Sequence, residues 1–107
     1  MGTCYICIMR VIALKRLRDF WLKSGRGDAK QPLRAWFAEA KKADWRGPSD
    51  IKKMYRSASF LANKRVVFNI GGNKYRLIVF AKYESRTVYI RFIGTHKEYD
   101  KIKVEEI

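Results

Sequence analysis

The C-terminal half of the chain contains three strand-like runs joined by very short turns, and this arrangement restricts the fold more than any other sequence feature. From Arg65 onward the hydrophobic period is two, and β-branched and aromatic residues dominate. Short turns force neighbouring strands to pair antiparallel, so this half is predicted to form a hairpin meander. The predicted strands are residues 65–70, 74–82 and 87–93, and the turns lie at 71–73 and 84–85.

The N-terminal half shows helical periodicity after a short predicted strand at residues 9–12. Apolar residues recur at helical spacing as far as Trp21. The side chains between them give this first helix a basic outer face: Lys15, Arg16, Arg18 and Lys23. The cluster Ser24-Gly25-Arg26-Gly27 is predicted to end the helix, because glycine permits the left-handed conformation that closes helices.

A second predicted helix begins where Asp28 and Gln31 have the spacing of a capping box. Pro32 is tolerated in its first turn, and Gly47-Pro48 is expected to end it. After one further helical turn, residues 56–64 show no clear period and are predicted to form a loop.

These elements predict a single α+β domain over residues 9–107. In it, an N-terminal strand and two helices pack on an antiparallel β-sheet, and a short helical turn lies at the C-terminus. Residues 1–8 are interpreted as an N-terminal extension, within which Cys4 and Cys7 form a CxxC spacing that can bind zinc or act as a redox dithiol. The chain offers one histidine and no second cysteine pair to complete a four-ligand zinc site, so no metal or other cofactor is predicted.

The charge of the chain indicates the class of its partner. It carries 24 Lys and Arg against 10 Asp and Glu, a net charge of +14, so a polyanion is expected. Nucleic acid is the commonest such partner. We find no apolar run near the ~20 residues of a membrane span and no convincing signal peptide, so a cytoplasmic protein without a membrane partner is predicted.

Alternation along the three strands sorts their side chains into two faces of the sheet. One face is continuous and apolar and is predicted to pack against the helices: Val66, Phe68, Ile70, Tyr75, Leu77, Val79, Val88, Ile90 and Phe92. The other face is mixed and contains Arg65, Val67, Asn69, Arg76, Ile78, Phe80, Lys82, Tyr89, Arg91 and Ile93. This mixed face is expected to remain open.

Two arginines are predicted to lie close together on the open face. A two-residue turn at 84–85 places Ile78 opposite Arg91 and Arg76 opposite Ile93. Arg76 and Arg91 are then diagonal neighbours, with Cα atoms roughly 7 to 8 Å apart. Two like charges this close favour a bound anion.

The only histidine of the chain follows the last predicted strand. Thr95 and Glu98 have the spacing of a capping box, which makes His96 the first residue of a helical turn. Helix N-termini favour anions, and the imidazole is expected beside the arginine pair. Because imidazole can give or take a proton near neutral pH, this cluster suits phosphate chemistry.

Several blocks of this sequence resemble the signature blocks of the HigB-type toxins. They are Arg65-Val-Val-Phe-Asn-Ile-Gly-Gly-Asn-Lys-Tyr-Arg76-Leu, Tyr89-Ile-Arg91-Phe and Thr95-His96-Lys97-Glu98-Tyr99-Asp100, with Asp50-Ile51-Lys52 and Ala58-Ser59 upstream. The blocks occur in family order, and the resemblance covers about residues 9–104. It implies a RelE-like fold, an mRNA endoribonuclease that usually works on ribosome-associated message, and neutralisation by a HigA-type helix-turn-helix antitoxin.

The resemblance also implies a metal-independent reaction, in which a ribose 2′-OH attacks the adjacent phosphate to give a cyclic phosphate and a free 5′-OH. We assign His96 as general base or acid, and Arg76 and Arg91 as clamps on the scissile phosphate. Lys97 and Tyr99 are further candidates for proton transfer, charge neutralisation or stacking on a base. The expected RNA contacts on the same face are Asn69, Arg65, Lys82 and Tyr89.

A non-catalytic RNA- or ribosome-binding module is the alternative, because the same net charge and exposed Tyr89 and Tyr99 would serve it equally well. A DNA-binding regulator fits poorly, since no helix-turn-helix spacing is evident between the two long helices. Contact with DNA is expected only through the complex with the antitoxin.

Overall fold

The computed structural model describes residues 9–23, 27–72 and 74–102. In chain order its elements are β1 (Arg10–Ile12), α1 (Leu14–Trp21), α2 (Lys30–Lys42), α3 (Pro48–Met54), β2 (Ser59–Leu61), β3 (Arg65–Ile70), β4 (Tyr75–Lys82), β5 (Thr87–Thr95) and α4 (His96–Lys101). The predicted N-terminal extension, with Cys4 and Cys7, lies outside the described residues. No helix within those residues is both long enough and apolar enough to span a membrane.

Within the described residues the sheet has five strands in the order β1-β5-β4-β3-β2, and the helices make the protein α+β, as predicted. The strands β2 to β5 pair antiparallel, whereas β1 runs parallel to β5, so the sheet is mixed and not purely antiparallel. Residues 56–64 are not simply a loop, because β2 forms within them and pairs with β3. The sequence does not predict this strand, because three residues are too few to show an alternating hydrophobic pattern.

The helix ends differ from the sequence expectation. Among the described residues no side chain caps α2, which begins at Lys30. The Asp28 carboxylate instead accepts hydrogen bonds from the Lys74 ammonium and the Tyr75 hydroxyl. These bonds, from Lys74 first, lower the pKa of Asp28. At the other end α2 stops at Lys42, and Pro48 begins α3 at a position where proline needs no N–H partner.

The aromatic part of the core is centred on Phe68 of β3. The ring of Phe68 stacks on Trp45 at 6.0 Å, and it meets the rings of Trp36 and Tyr55 edge-on at 5.5 and 5.1 Å. Trp45 lies between α2 and α3 and is 1% exposed. The segment joining the helices therefore contributes to the core, although its sequence shows no periodicity.

A β-bulge in the β4–β5 ladder changes the face of every residue after it. The register nearest the turn is the predicted one, with Phe80 opposite Tyr89 and Val79 opposite Ile90. Beyond this point Ile78 pairs with Phe92, so Arg91 is the extra residue of β5.

The bulge makes two of the predicted faces wrong. Phe92 was expected in the core, but it lies on the opposite face beside Ile78, which is completely buried there. Ile93 was expected on the open face, but it packs against the core opposite Leu77. The rest of the predicted apolar face is in the core: Val66, Phe68, Ile70, Tyr75, Leu77, Val79, Val88 and Ile90.

Replacing Leu33 by alanine is expected to lower the free energy of unfolding by about 2–5 kcal/mol, because the side chain is completely buried in α2 and leaves a cavity. Leu22→Ala is the matched control, since Leu22 is 70% exposed and its loss is expected to cost less than about 0.5 kcal/mol. Urea denaturation of both variants measures the difference. Equal costs would contradict the described packing of α2.

Candidate functional site

A direct contact between an arginine and the histidine defines the site. Arg76 Nε on β4 donates to His96 Nε2 at 3.4 Å, and both side chains are partly buried. This bond uses a lone pair on Nε2, so it is available to the imidazole tautomer that carries its proton on Nδ1. A neutral imidazole beside a guanidinium can act as a base next to a bound anion. The predicted proximity of Arg76 and His96 is confirmed.

Local hydrogen bonds fix the position of His96. The Thr95 hydroxyl accepts from the backbone N–H of Glu98 at 3.2 Å, and the Glu98 carboxylate accepts from the N–H of Thr95 at 2.9 Å. This reciprocal pair is the predicted capping box, and it starts α4 at His96. The capping box therefore fixes the first turn of α4 and, with it, the backbone of His96.

Gly94 gives α4 room to approach the sheet. A Cβ at this position would lie 2.6 Å from Cζ of Phe92 and 2.8 Å from Oε1 of Glu98. Gly94 is also the residue opposite Arg76 in the ladder. The sequence carries no signal for this role, because nothing in the local pattern shows that a ring from the shifted part of β5 covers the glycine.

Two more of the predicted residues adjoin Arg76. The Arg76 guanidinium lies over the ring of Tyr99, 5.0 Å from its centre, and Asn69 is the partner of Arg76 in the β3–β4 ladder. The Asn69 amide donates to the carbonyl of Ser57 at 3.3 Å, and its oxygen accepts no hydrogen bond from the described residues. Lys97, the second residue of α4, is exposed.

Arg91 does not face Arg76 in the way the predicted register requires. Because of the bulge, Arg76 pairs with Gly94 and not with Ile93, so the predicted diagonal arrangement is wrong. The Arg91 guanidinium instead lies 5.9 Å from the ring centres of both Phe80 and Tyr89.

The remaining predicted RNA contacts lie further along the same face. Arg65 and Tyr89 flank Phe80 in a single row across β3, β4 and β5. Lys82 is six residues beyond Arg76 on β4, roughly 20 Å away at about 3.3 Å per residue. The open face therefore carries one cluster around Arg76 and a second around Phe80.

The described residues contain no group of three or more His, Cys, Asp and Glu side chains that could hold a metal ion. The chemical groups that do converge, around Arg76, are an imidazole, a guanidinium, an amide and a phenol. They can bind an anion, move a proton and stabilise negative charge.

Comparison with known proteins identifies relatives of one kind. The family model described as HigB toxin, the RelE-like toxic component of a toxin-antitoxin system, matches residues 29–102. This range contains the whole Arg76–His96 site and excludes β1 and α1.

Individual relatives carry the same name. The chain is 38% identical over 61 residues to the mRNA interferase toxin HigB of Escherichia coli K12 and to an mRNA interferase HigB of Shigella flexneri, over 55% of this chain and 59% of each relative. It is 25% identical over 72 residues to an mRNA interferase HigB of Escherichia coli O6:H1, over 65% of this chain and 70% of that relative. The chain thus spans less than two thirds of the length of the first two relatives.

Gly94→Ala is expected to displace the Phe92 ring and the Glu98 carboxylate, because the new methyl group would overlap both. Loss of the cap should lower the free energy of unfolding by about 0.5–2 kcal/mol and shift the NMR resonances of the His96 ring. Gly27→Ala is the control, since a Cβ there meets no atom of the described residues within 4 Å. Unchanged His96 resonances in Gly94→Ala would contradict this packing.

Proposed function

Because the chain belongs to the HigB family of RelE-like toxins, we propose that it is an endoribonuclease that cleaves mRNA and so inhibits translation. The observation that carries the proposal is the 3.4 Å contact between Arg76 and His96 on the open face of a strongly basic protein. The relatives named mRNA interferase support the choice of substrate.

The proposed reaction is internal attack on the RNA backbone. The ribose 2′-oxygen bonds to the neighbouring phosphorus while the bond from phosphorus to the 5′-oxygen breaks. When the phosphate binds, Arg76 transfers its hydrogen bond from Nε2 of His96 to a phosphate oxygen, where it stabilises the charge that develops. This transfer frees the lone pair of Nε2, which takes the proton of the 2′-OH. The products are a 2′,3′-cyclic phosphate and a free 5′-hydroxyl. The nucleophile is tethered beside its target, so the protein needs only to align it, move protons and neutralise charge.

The 5′-oxygen needs a proton as it leaves, and two residues of α4 are candidates to supply it. We propose that Lys97 or Tyr99 acts as this acid, because both are within the helical turn that carries His96. Tyr99 also lies under the Arg76 guanidinium, where its ring supports the arginine by a cation–π contact. Asn69, Arg65, Lys82, Tyr89 and Arg91 are proposed to contact the RNA along the open face.

The proposed partners follow from the family. A toxin of a toxin-antitoxin system has an antitoxin, and we propose one of the HigA helix-turn-helix type, which would bring the toxin to DNA only as part of the complex. We propose translating ribosomes in the cytoplasm as the place of action, since message is presented there as a single strand.

His96→Ala is expected to lower the rate of cleavage by about a hundredfold or more, the usual contribution of a general base. The assay combines purified protein, translating ribosomes and a defined message, and it maps discrete cuts. Lys15→Ala is the control, because Lys15 lies on the exposed face of α1 and is absent from the proposed site. Intact but bound RNA with the unaltered protein would favour a non-catalytic RNA-binding module instead.

The products test the mechanism separately from the function. We expect 5′-hydroxyl ends, cleavage that persists in EDTA when ribosome integrity is maintained, and no cut where the sugar 5′ to the scissile phosphate is 2′-deoxy. End labelling of the cleaved message distinguishes 5′-hydroxyl from 5′-phosphate ends. Termini carrying 5′-phosphate, or cutting across the deoxy sugar, would contradict internal attack while leaving the nuclease assignment intact.

A further inference from the structure

Four side chains form a second cluster on the open face, next to the proposed cleavage site. Arg65, Phe80 and Tyr89 are direct neighbours across β3, β4 and β5, and the Arg91 side chain lies over the Phe80 and Tyr89 rings from the bulge. The rings of Phe80 and Tyr89 are 6.0 Å apart. We name this group, Arg65, Phe80, Tyr89 and Arg91, the aromatic row.

Guanidinium groups lie over the rings of the aromatic row, so their planes form part of its surface. The centre of the Arg65 guanidinium is 5.3 Å from the centre of the Phe80 ring, and that of Arg91 is 5.9 Å from both rings. Phe80 and Tyr89 are partly buried and Arg91 is exposed. Within the part of the chain described, no carboxylate pairs with Arg91. The row thus offers flat π surfaces together with positive charge that carboxylates do not neutralise at Arg91.

Single-stranded nucleic acid is bound by this combination of side chains. Bases stack on aromatic rings and on guanidinium planes, while the positive charge attracts the phosphates between them. An aliphatic ligand or a simple anion would use only one of the two features. The net charge of +14 adds long-range attraction for the same class of ligand.

The position of the aromatic row relates it to the cleavage site. Phe80 is four residues from Arg76 on β4, about 13 Å along a strand that rises about 3.3 Å per residue. The surface between them, which Phe92 covers, belongs to the same face. One RNA strand can therefore extend from the His96 site to the aromatic row.

We infer that the aromatic row is a nucleobase-stacking site for an unpaired nucleotide of the RNA strand being cleaved, and that Arg91 acts there and not on the scissile phosphate. The inference rests on the proposed function for the identity of its ligand. It also gives the bulge a role, since the extra residue in β5 directs Arg91 towards Phe80 and Tyr89.

The test uses single-stranded RNA oligonucleotides in which 2′-O-methyl groups prevent cleavage and one base at a time is 2-aminopurine. The fluorescence of 2-aminopurine falls when the base stacks on a ring, so the full-length protein should quench it strongly at one position. Tyr89→Leu and Phe80→Leu are expected to abolish this local quenching and to weaken binding about fivefold to a hundredfold. Tyr89→Phe keeps the ring and should keep the quenching.

Separate variants serve as controls for the effects of charge and of folding. Arg91→Ala should weaken the local quenching, whereas Arg18→Ala, which removes the same charge from the exposed face of α1, should leave it unchanged. Equal quenching at every position, or full local quenching in a folded Tyr89→Leu protein, would overturn the inference. Cleavage of unmodified message is measured in parallel. Cleavage without local quenching refutes only the stacking site, and local quenching without cleavage refutes only the proposed nuclease.

Discussion

The bulge at Arg91 is the constraint on which the functional face depends. Before it, β4 and β5 pair in the register set by their turn; after it, each residue of β5 is displaced by one position. The displacement brings Ile93 into the core and Phe92 onto the open face, and it sets Gly94 opposite Arg76. Because His96 follows directly on β5, this displaced register sets the position from which the imidazole meets the Arg76 side chain.

The ion pairs formed by the acidic residues explain why the open face of the folded protein keeps its positive charge. Several carboxylates are engaged away from the His96 site. Asp28 binds Lys74 and Tyr75, and Glu84 binds Lys64. Asp44 pairs with Arg46 and Arg86, which lower the pKa of its carboxyl. The open face is thereby left with guanidinium groups for an anionic ligand.

Burial and a hydrogen bond also account for the shifted pKa of Tyr55, which has no part in the proposed chemistry. Burial and the hydrogen bond to Glu39 raise the pKa of Tyr55 far above its usual value. Its ring packs on Phe68 and on Trp45, so the neutral phenol is part of the core. The raised pKa of Tyr55 therefore reflects burial and the bond to Glu39, whereas the proposed site is defined by the contact between Arg76 and His96.

Sequence patterns predicted the elements better than their exact alignment. The alternation in 65–93 located β3, β4 and β5, and the Thr95–Glu98 spacing placed His96 correctly at the start of α4. A bulge inserts one residue without changing the local alternation on either side, so the faces of Phe92 and Ile93 could not be derived.

Other differences arise from contacts between distant parts of the chain. Asp28 has the spacing of a cap, but Lys74 and Tyr75 hold its carboxylate from the other end of the domain. The strand β2 forms because β3 offers it an edge to pair with, and its own three residues carry no signal. In both cases a contact with a distant part of the chain determines the structure, and the spacing of neighbouring residues gives no sign of that contact.

The claim that Arg76 and His96 act on one phosphate is tested most directly by a double-mutant cycle on the rate of RNA cleavage. We predict that Arg76→Ala alone slows cleavage on the order of a hundredfold, the usual cost of one charge-stabilising group. In the His96→Ala background the same change should cost less than about tenfold, because groups that act as a unit are strongly non-additive. Losses that simply multiply would show that the two residues act independently and would contradict the proposed site.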